Sequence, residues 1–490
     1  MILKEMLAQL EYTCVQGDDN SSVKELVYDS RKVTADCVFV CITGAVSDGH
    51  AYAKEVADKG ATAIIVEKEI DLPPYITVIR VKDTRLALAY MSAAYFGHPA
   101  RKLITIGITG TKGKTTTTYM IKSILENTGK KVGLIGTIET IIGDTVIPAN
   151  NTTPESYTLQ ETFSRMVEEG CECVVMEVSS QGLKLNRVAG FTFDYGIFTN
   201  LGEDHIGGAE HADFEDYLTS KSKLFKQCRQ GLINIDDEHA QHILGGHTCK
   251  VETLGFSEKA DIRATEVKLI QKPGFLGIAY HVEGLLNLEV EMNIPGKFNV
   301  YNSLCAIALC RHFGVSNEEI IRSLSSVYVK GRVELVPVSK HFSVMLDYAH
   351  NAMSLESLLS TIKEYNPKRL VCVFGCGGNR ARSRRFEMGE VSSKMADLTI
   401  VTSDNPRFEE PQDIVNDILE GVKRGPGKYV ELIDRKEAIR YSIDHAEEGD
   451  VIVVAGKGHE DYQEIKGVKH HMDDRELIRE AAKQSKSPLI

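Results

Sequence analysis

The hydrophobic positions of this chain come in short, unbroken runs separated by stretches of helical spacing. That pattern is expected of strands buried on both faces of a parallel sheet. Up to about residue 100 the runs are Cys37-Val38-Phe39-Val40, Ala63-Ile64-Ile65-Val66 and Thr77-Val78-Ile79-Arg80-Val81, and residues 51–59 carry a helical pattern. Gly97-His98-Pro99 breaks the last helix of this small α/β region and marks a boundary near residue 100. A second region, 101–330, opens with a strand at 103–108, a loop of Gly, Thr and Lys, and a helix. Met120, Ile121, Ile124 and Leu125 share one face of that helix, and Gly129 ends it. Further strands are expected at 173–176 and 195–198, with a polar β-rich stretch over 262–294. The third region, 331–490, has strands at 344–346, 369–374, 398–402 and 451–455, separated by helical patterns. The fold class is α/β in three domains.

Strand after strand in the second and third regions ends in polar residues: Glu177-Val178-Ser179-Ser180, Thr199-Asn200, Asp347-Tyr348-Ala349-His350, Ser403-Asp404-Asn405-Pro406-Arg407 and Gly456-Lys457-Gly458-His459-Glu460. Open parallel sheets bind ligands outside the carboxyl ends of their strands. The strongest of these clusters is Gly110-Thr111-Lys112-Gly113-Lys114-Thr115-Thr116, between a strand and a helix. A phosphate loop usually has Gly six residues before its Lys; here Ile108 stands there and the Gly is Gly110. The loop still offers backbone N–H groups at a helix N-terminus, Lys114 for the β- and γ-phosphates and the Thr115 hydroxyl for Mg²⁺. Thr116, Thr117 and Thr118 are poor choices inside a helix, which fits a first turn that serves a ligand.

Composition narrows the class. The 490 residues are 42% hydrophobic and 26% charged, with a net charge of −12. These are the values of an ordinary soluble globular protein, and without a Lys/Arg block they argue against nucleic acid as the main partner. The N-terminus lacks a signal-peptide pattern, and no apolar run approaches the ~18 residues of a membrane span. The eleven cysteines are scattered, several inside strand-like runs, and read as buried reduced thiols. A cytoplasmic enzyme is expected.

Glu177 ends an apolar strand, where an unpaired carboxylate is costly to desolvate, and it is assigned to Mg²⁺. His205 follows in the loop after Asn200 and is a weaker candidate. On a helical wheel over 213–226, Phe214, Tyr217, Leu218, Leu224 and Phe225 share one face, and Lys221 falls on it while Lys223 does not. A lysine pressed inward has a depressed pKa. Its neutral amine can take up CO₂ as a carbamate, an anionic ligand for a second Mg²⁺; a snorkelling or ion-paired lysine is the ordinary alternative.

Taken together, Thr109 to Thr116, Glu177-Val178-Ser179-Ser180, Thr199-Asn200-Leu201 with Asp204-His205, and Lys221 resemble the Mur ligase family of peptidoglycan synthesis over essentially the whole chain. Asn299-Val300-Tyr301-Asn302, Gly331-Arg332-Val333-Glu334 and Asp347-Tyr348-Ala349-His350 resemble its adenine-side, hinge and C-terminal nucleotide motifs. The resemblance implies a small N-terminal UDP-substrate domain (1–100), a central P-loop ATPase domain (101–330) and a Rossmann-like amino-acid domain (331–490). It implies ATP contacts at Gly110 to Thr116, Asn299, Arg332 and Asp347, with Lys114, His205 and Lys221 catalytic. Metal ligands would be Thr115, Glu177, His205 and Lys221 as its carbamate. Substrate contacts would be Ser30, Thr152, Thr153, Ser179 and Arg187, drawn from Asp29-Ser30-Arg31 and Asn151-Thr152-Thr153-Pro154. Two departures stand out: Leu185 where some members have Gln, and Asn351-Ala352 where Thr-Pro is usual.

The resemblance further implies addition of the third stem-peptide residue to the D-Glu γ-carboxylate of UDP-N-acetylmuramoyl-L-Ala-D-Glu through an acyl phosphate. The amino acid would be meso-diaminopimelate or L-lysine. A distal carboxylate calls for Arg, whose planar fork binds it bidentately, and an ammonium is repelled by that same Arg. Arg407, in Asp404-Asn405-Pro406-Arg407, and Arg380 favour diaminopimelate, and Glu460, in the segment that opens at Gly456, can take its distal ammonium; the alternative has Arg407 capping a turn against Glu409 or Glu410. A folate polyglutamate-type ligase is a further alternative, disfavoured by the first domain and the Arg407 motif. A monomer with small-molecule partners is expected.

Overall fold

The computed structural model of the protein describes residues 1–44, 47–203, 206–207, 210–272 and 274–485. By contact density the chain forms two compact units, Met1–Asp261 with Leu304–Val315, and Ile262–Ser303 with Ser316–Ile490.

The first unit contains two sheets. Strands β1 (Tyr12–Gln16), β2 (Glu25–Val27), β3 (Cys37–Val40), β4 (Ala63–Val66) and β5 (Thr77–Val81) lie in the order β1-β5-β4-β3-β2. Only β1 is antiparallel. The runs at β3 and β4 are uniformly buried, which explains why they carry no polar alternation. The helical stretch before β4 begins as a 3-10 turn, Gly49–Tyr52, and becomes α-helix only over Ala53–Asp58.

The larger sheet is built from β6 (Ile104–Thr109), β7 (Val132–Ile135), β8 (Glu139–Ile142), β9 (Thr145–Pro148), β10 (Cys173–Glu177), β11 (Phe193–Phe198), β12 (Cys228–Asn234) and β13 (Lys250–Gly255). Its order within this unit is β13-β12-β11-β6-β10-β7-β8-β9, parallel from β13 to β7. The β8–β9 hairpin extends it in the antiparallel sense. Strand β6 lies between β10 and β11, so the chain order reverses around it and opens a crevice at its carboxyl end. The helix Lys114–Asn127 follows β6 and buries Met120, Ile121, Ile124 and Leu125 completely. Gly129, at φ +86°, turns the chain out of it.

The second unit holds the antiparallel meander β14 (Ile262–Lys272), β15 (Phe275–Gly284) and β16 (Leu288–Met292). Its main sheet comprises β17 (Glu334–Leu335), β18 (Ser343–Asp347), β19 (Arg369–Phe374), β20 (Leu398–Val401), β21 (Lys428–Glu431) and β22 (Asp450–Ala455). The order is β17-β18-β22-β19-β20-β21, parallel except for β17. A small hairpin, β23 (Tyr462–Ile465) and β24 (Val468–His471), follows β22. All eleven cysteines are free and only Cys14 is exposed. Among the described residues no helix is long and apolar enough to cross a membrane.

One buried ion pair joins the strand ends of the second unit. Arg435 donates to both oxygens of Asp474, at 2.8 and 2.7 Å, and to the Ser403 and Ala455 carbonyls beyond β20 and at the end of β22. Neither side chain of the pair is more than 1% exposed. Asp474→Ala leaves a guanidinium buried without its anion, and a loss of about 3–5 kcal/mol is expected in urea unfolding. A loss no larger than that of an exposed pair, below about 1 kcal/mol, would contradict this account.

Candidate active site

Three strand ends of the first unit converge. Glu177 pairs in register with Ile108, and Phe198 with Thr109, so β10 and β11 finish beside the phosphate loop. Asn200 threads that loop: its carbonyl accepts Thr111 N–H at 2.8 Å, its amide oxygen accepts Lys112 N–H at 2.9 Å, and its Nδ2 donates to the Lys112 carbonyl at 3.0 Å. A Cβ on Gly110 would lie 2.0 Å from Thr199 Oγ1, so no other residue allows this approach. Gly110 also has φ +152°.

Glu177 is buried and fully engaged. Oε1 accepts from Thr115 Oγ1 at 2.9 Å and from Thr137 N–H at 2.8 Å, and Oε2 accepts from Thr137 Oγ1 at 3.0 Å. Lys114 Nζ donates to the carbonyls of Gly110 (2.8 Å) and Thr111 (3.0 Å). Lys221, 2% exposed in the helix Phe214–Lys226, reaches the same Gly110 carbonyl at 2.9 Å and lies over the Tyr217 ring. The helical wheel therefore placed Lys221 correctly inside, and Lys223 is only half-buried. Thr116 is buried on the first turn. Thr117 and Thr118 are not ligand-facing as their hydroxyls suggested: both are fully buried, and Thr118 bonds back to the Thr115 carbonyl at 2.7 Å. His205 lies outside the described residues.

The expected substrate residues gather at the same edge, apart from Ser30. Thr152 Oγ1 meets Thr137 Oγ1 at 3.0 Å. Thr153 Oγ1 donates to the Glu177 carbonyl at 3.0 Å and accepts Ser179 N–H at 2.9 Å, while Arg187 donates to the Thr153 carbonyl at 3.1 Å. Ser179 caps the helix Ser180–Lys184. Ser30 opens a 3-10 turn after β2, capped by Asp29, whose carboxyl the Arg31 guanidinium holds down at about 2.

The remaining residues belong to the second unit. Asp347 accepts Val333 N–H and Ala349 N–H, each at 2.8 Å, and so holds the turn carrying Arg332. Arg332 stacks on Tyr348, 4.8 Å from its centroid. Asn299 is fully buried, with its amide bonded to the Pro295 carbonyl and to Asn302. Asn351, one of the departures from the family pattern, caps the helix Ala352–Lys363 through Ser354 N–H at 2.9 Å.

Beyond β20, Asp404, Asn405 and Pro406 are buried and Arg407 is half-buried. Asn405 donates to Glu460 at 2.8 Å and accepts Glu464 N–H at 2.9 Å. Glu460 also pairs with the fully buried Lys457 at 3.3 Å. Burial raises the Glu460 carboxyl above its ordinary range against the opposing pull of Lys457. Gly456, at φ +108°, closes this cluster against Asp404. Arg407 donates through Nη1 to the Gly378 carbonyl at 2.7 Å and through Nε to Glu464 at 3.2 Å. Glu409, which in the alternative reading caps a turn with Arg407, pairs with Arg385 instead, and with Asn379 N–H. Arg380 is exposed.

Sequence reading missed Thr137 and Glu464, and gave Lys457 no role of its own within its strand-end cluster. For Thr137 a signal existed, since Gly136-Thr137 follows the apolar run of β7 as the other polar clusters follow theirs. Glu464 gave none, being 57 residues from Arg407 on a separate hairpin.

A phosphate-type loop at the switch point of a parallel sheet, with a carboxylate and two lysines around it, defines an enzyme that activates its substrate with a nucleotide. Comparison with known proteins narrows this. Family models for the Mur ligase catalytic domain, middle domain and glutamate ligase domain match residues 22–96, 108–310 and 331–458. The chain belongs to the Mur ligase family, whose members are ATP-dependent amide-bond-forming ligases. It is 44% identical over 485 residues to the UDP-N-acetylmuramoyl-L-alanyl-D-glutamate–2,6-diaminopimelate ligase of Clostridium perfringens, covering 98% of this chain and 99% of that one. Ligase 1 of that name from Clostridium acetobutylicum is 44% identical over 489 residues, covering 99% and 100%. A solved structure of an enzyme of that name superposes with a TM-score of 0.73 at 27% identity, covering 99% of both chains.

Gly136 leaves the room that Glu177 occupies, for a Cβ there would lie 2.7 Å from Glu177 Oε1. Gly136→Ala is expected to displace the carboxylate and lower kcat for ATP turnover on the order of 10²-fold, with the fold intact by circular dichroism. Turnover equal to the parent's would show that the position of Glu177 is not critical.

Proposed function

We propose that this chain joins meso-2,6-diaminopimelate to the D-Glu γ-carboxylate of UDP-N-acetylmuramoyl-L-Ala-D-Glu, using ATP, in peptidoglycan precursor synthesis. Relatives at 40–44% identity with near-complete coverage carry the name of that activity, which supports the reading. The observation that carries the choice of amino acid is the two-signed cluster around Asn405. On one side stands the Arg407 guanidinium, whose Nη2 makes no hydrogen bond among the described residues; on the other stands the Glu460 carboxylate. Diaminopimelate ends in both a carboxylate and an ammonium, whereas lysine offers only the ammonium.

In this reading residues 1–100 hold the uridine nucleotide through Ser30, and residues 101–330 hold ATP on Gly110 to Thr116. Residues 331–490 hold the amino acid through Arg380, Asp404, Asn405, Pro406, Arg407, Gly456 and Glu460. Asn299, Arg332 and Asp347 contact the nucleotide, and Thr152, Thr153, Ser179 and Arg187 hold the muramoyl peptide. The Thr115 hydroxyl and the Glu177 carboxylate, 2.9 Å apart at the loop, are the hard oxygen donors that Mg²⁺ prefers. Bound there with His205, Mg²⁺ would offset the negative charge of the phosphates. Lys114 exchanges the Gly110 and Thr111 carbonyls for phosphate oxygens as ATP enters. Lys221 as its carbamate would add an anionic donor, and must then leave the Gly110 carbonyl it now touches.

The γ-carboxylate attacks the γ-phosphate, giving an acyl phosphate and ADP. The diaminopimelate amine then attacks the acyl carbon and phosphate departs, with water excluded by closure of the amino-acid domain. The protein acts in the cytoplasm as a monomer on small molecules, without nucleic acid or membrane insertion.

Arg407→Ala is expected to abolish diaminopimelate addition while leaving ATP binding nearly intact. Diaminopimelate use equal to the parent's, or a preference for lysine when both are supplied equally, would overturn the assignment. Glu460 must be ionised to hold the distal ammonium, and its pKa is raised. KM for diaminopimelate should therefore climb as pH falls toward that raised pKa, and the climb should vanish in Glu460→Gln. A KM–pH profile identical in parent and variant would remove Glu460 from the site.

A further inference from the structure

At the amino ends of β6 and β11, opposite the edge that carries the phosphate loop, the first unit has a cleft of about 360 Å³. Strand β6 separates the two, and its six residues at ~3.3 Å each put them roughly 20 Å apart. None of the residues assigned above to ATP, substrate or metal lines this cleft.

Its floor contains an anomaly. Gln160 lies on the helix Ser156–Glu168, whose other inward positions include Leu159, Phe163 and Met166. It is 1% exposed, and among the described residues neither its amide nitrogen nor its amide oxygen has a hydrogen-bond partner. A buried amide without partners is costly relative to an apolar side chain of similar shape. A leucine would suit the helix better if packing were the only demand.

The walls are partly apolar, with Ala93, Leu103 and Phe191, and the rim is cationic. Arg229 is engaged by Asp194 at 3.2 Å. Arg101, one turn beyond the left-handed His98, makes no ion pair among the described residues. The cleft is thus lined by a buried glutamine whose amide has no partner among the described residues, by apolar side chains, and by the exposed Arg101 guanidinium.

We propose that this cleft is a second small-molecule site, which takes a compact planar anion bearing adjoining N–H and C=O groups. The ligand's amide edge would meet both atoms of the Gln160 carboxamide, and its anionic group would meet Arg101. Orotate is the simplest probe of that chemistry; uracil lacks the anion and benzoate lacks the amide edge. Because the site lies away from the phosphate loop, binding there should be independent of ATP.

The test is calorimetric titration of the full chain with orotate, uracil and benzoate, with and without saturating ATP. Orotate should bind at least tenfold more tightly than either control, with the same affinity in both conditions. Gln160→Met should abolish orotate binding and raise the thermal midpoint, since it removes an unsatisfied amide while keeping the volume. Arg101→Ala should weaken orotate about tenfold, and both variants should retain ATP turnover. No binding of orotate, binding undiminished in Gln160→Met, or displacement of orotate by ATP would each overturn the proposal. The assignment of the phosphate loop and of Arg407 would stand in every one of those outcomes.

Discussion

A carboxylate at the end of a strand buried on both faces can be kept charged only if donors from other strands reach it. Glu177 is met in that way, by Thr115 from the first helical turn after the phosphate loop and by Thr137 from the turn after β7. The same arrangement extends outward, because Thr137 also meets Thr152 and the Glu177 carbonyl accepts from Thr153. Loop, metal candidate and substrate segment therefore share one hydrogen-bonded network, and none can move far without disturbing the others. A network of this kind, fully satisfied in a low-dielectric setting, fixes geometry more than it adds stability.

The second unit solves a related problem with charge. Its strand ends carry Asp404, Lys457 and Glu460 in close quarters, with Arg435 and Asp474 bracing them from behind. His459 sits at the same edge, and burial together with the cations Arg332, Lys330, Arg475 and Lys457 lowers it to about 3. It stays neutral at physiological pH and adds no further positive charge. The turn before β17 is strained: Val333, a β-branched residue, has φ +45°. Asp347 holds its N–H, and the buried Glu334–Arg475 pair at 2.6 Å anchors the next residue. Strain secured from both sides in this manner is characteristic of segments whose geometry matters to function.

Much of this was legible in the sequence where a single element carried the information. The runs at Cys37–Val40, Ala63–Val66 and Arg369–Phe374 became strands with the expected bounds, because burial on both faces leaves an unbroken apolar signature. Lys221 could be placed inside because a helix repeats every 3.6 residues and its neighbours fixed the face. Partners contributed by other elements were not legible. Glu464 reaches Arg407 from a hairpin that no local pattern connects to it. Thr117 and Thr118 looked like ligand groups because a hydroxyl inside a helix has two uses, and only the packing decides between them. The amide of Gln160 gave no signal, since an isolated glutamine in an amphipathic pattern reads as a solvated position.

The distribution of thiols has a practical consequence. Burial pushes Cys41, Cys173, Cys305, Cys372 and Cys376 up to about 12, so almost none of each is the nucleophilic thiolate near neutrality. Cys14, on β1 at the edge of the N-terminal sheet, is exposed. An alkylating dye therefore has one address on the native protein, on the sheet whose strand β2 leads into the Ser30 turn, and a reporter can be attached there without engineering the chain.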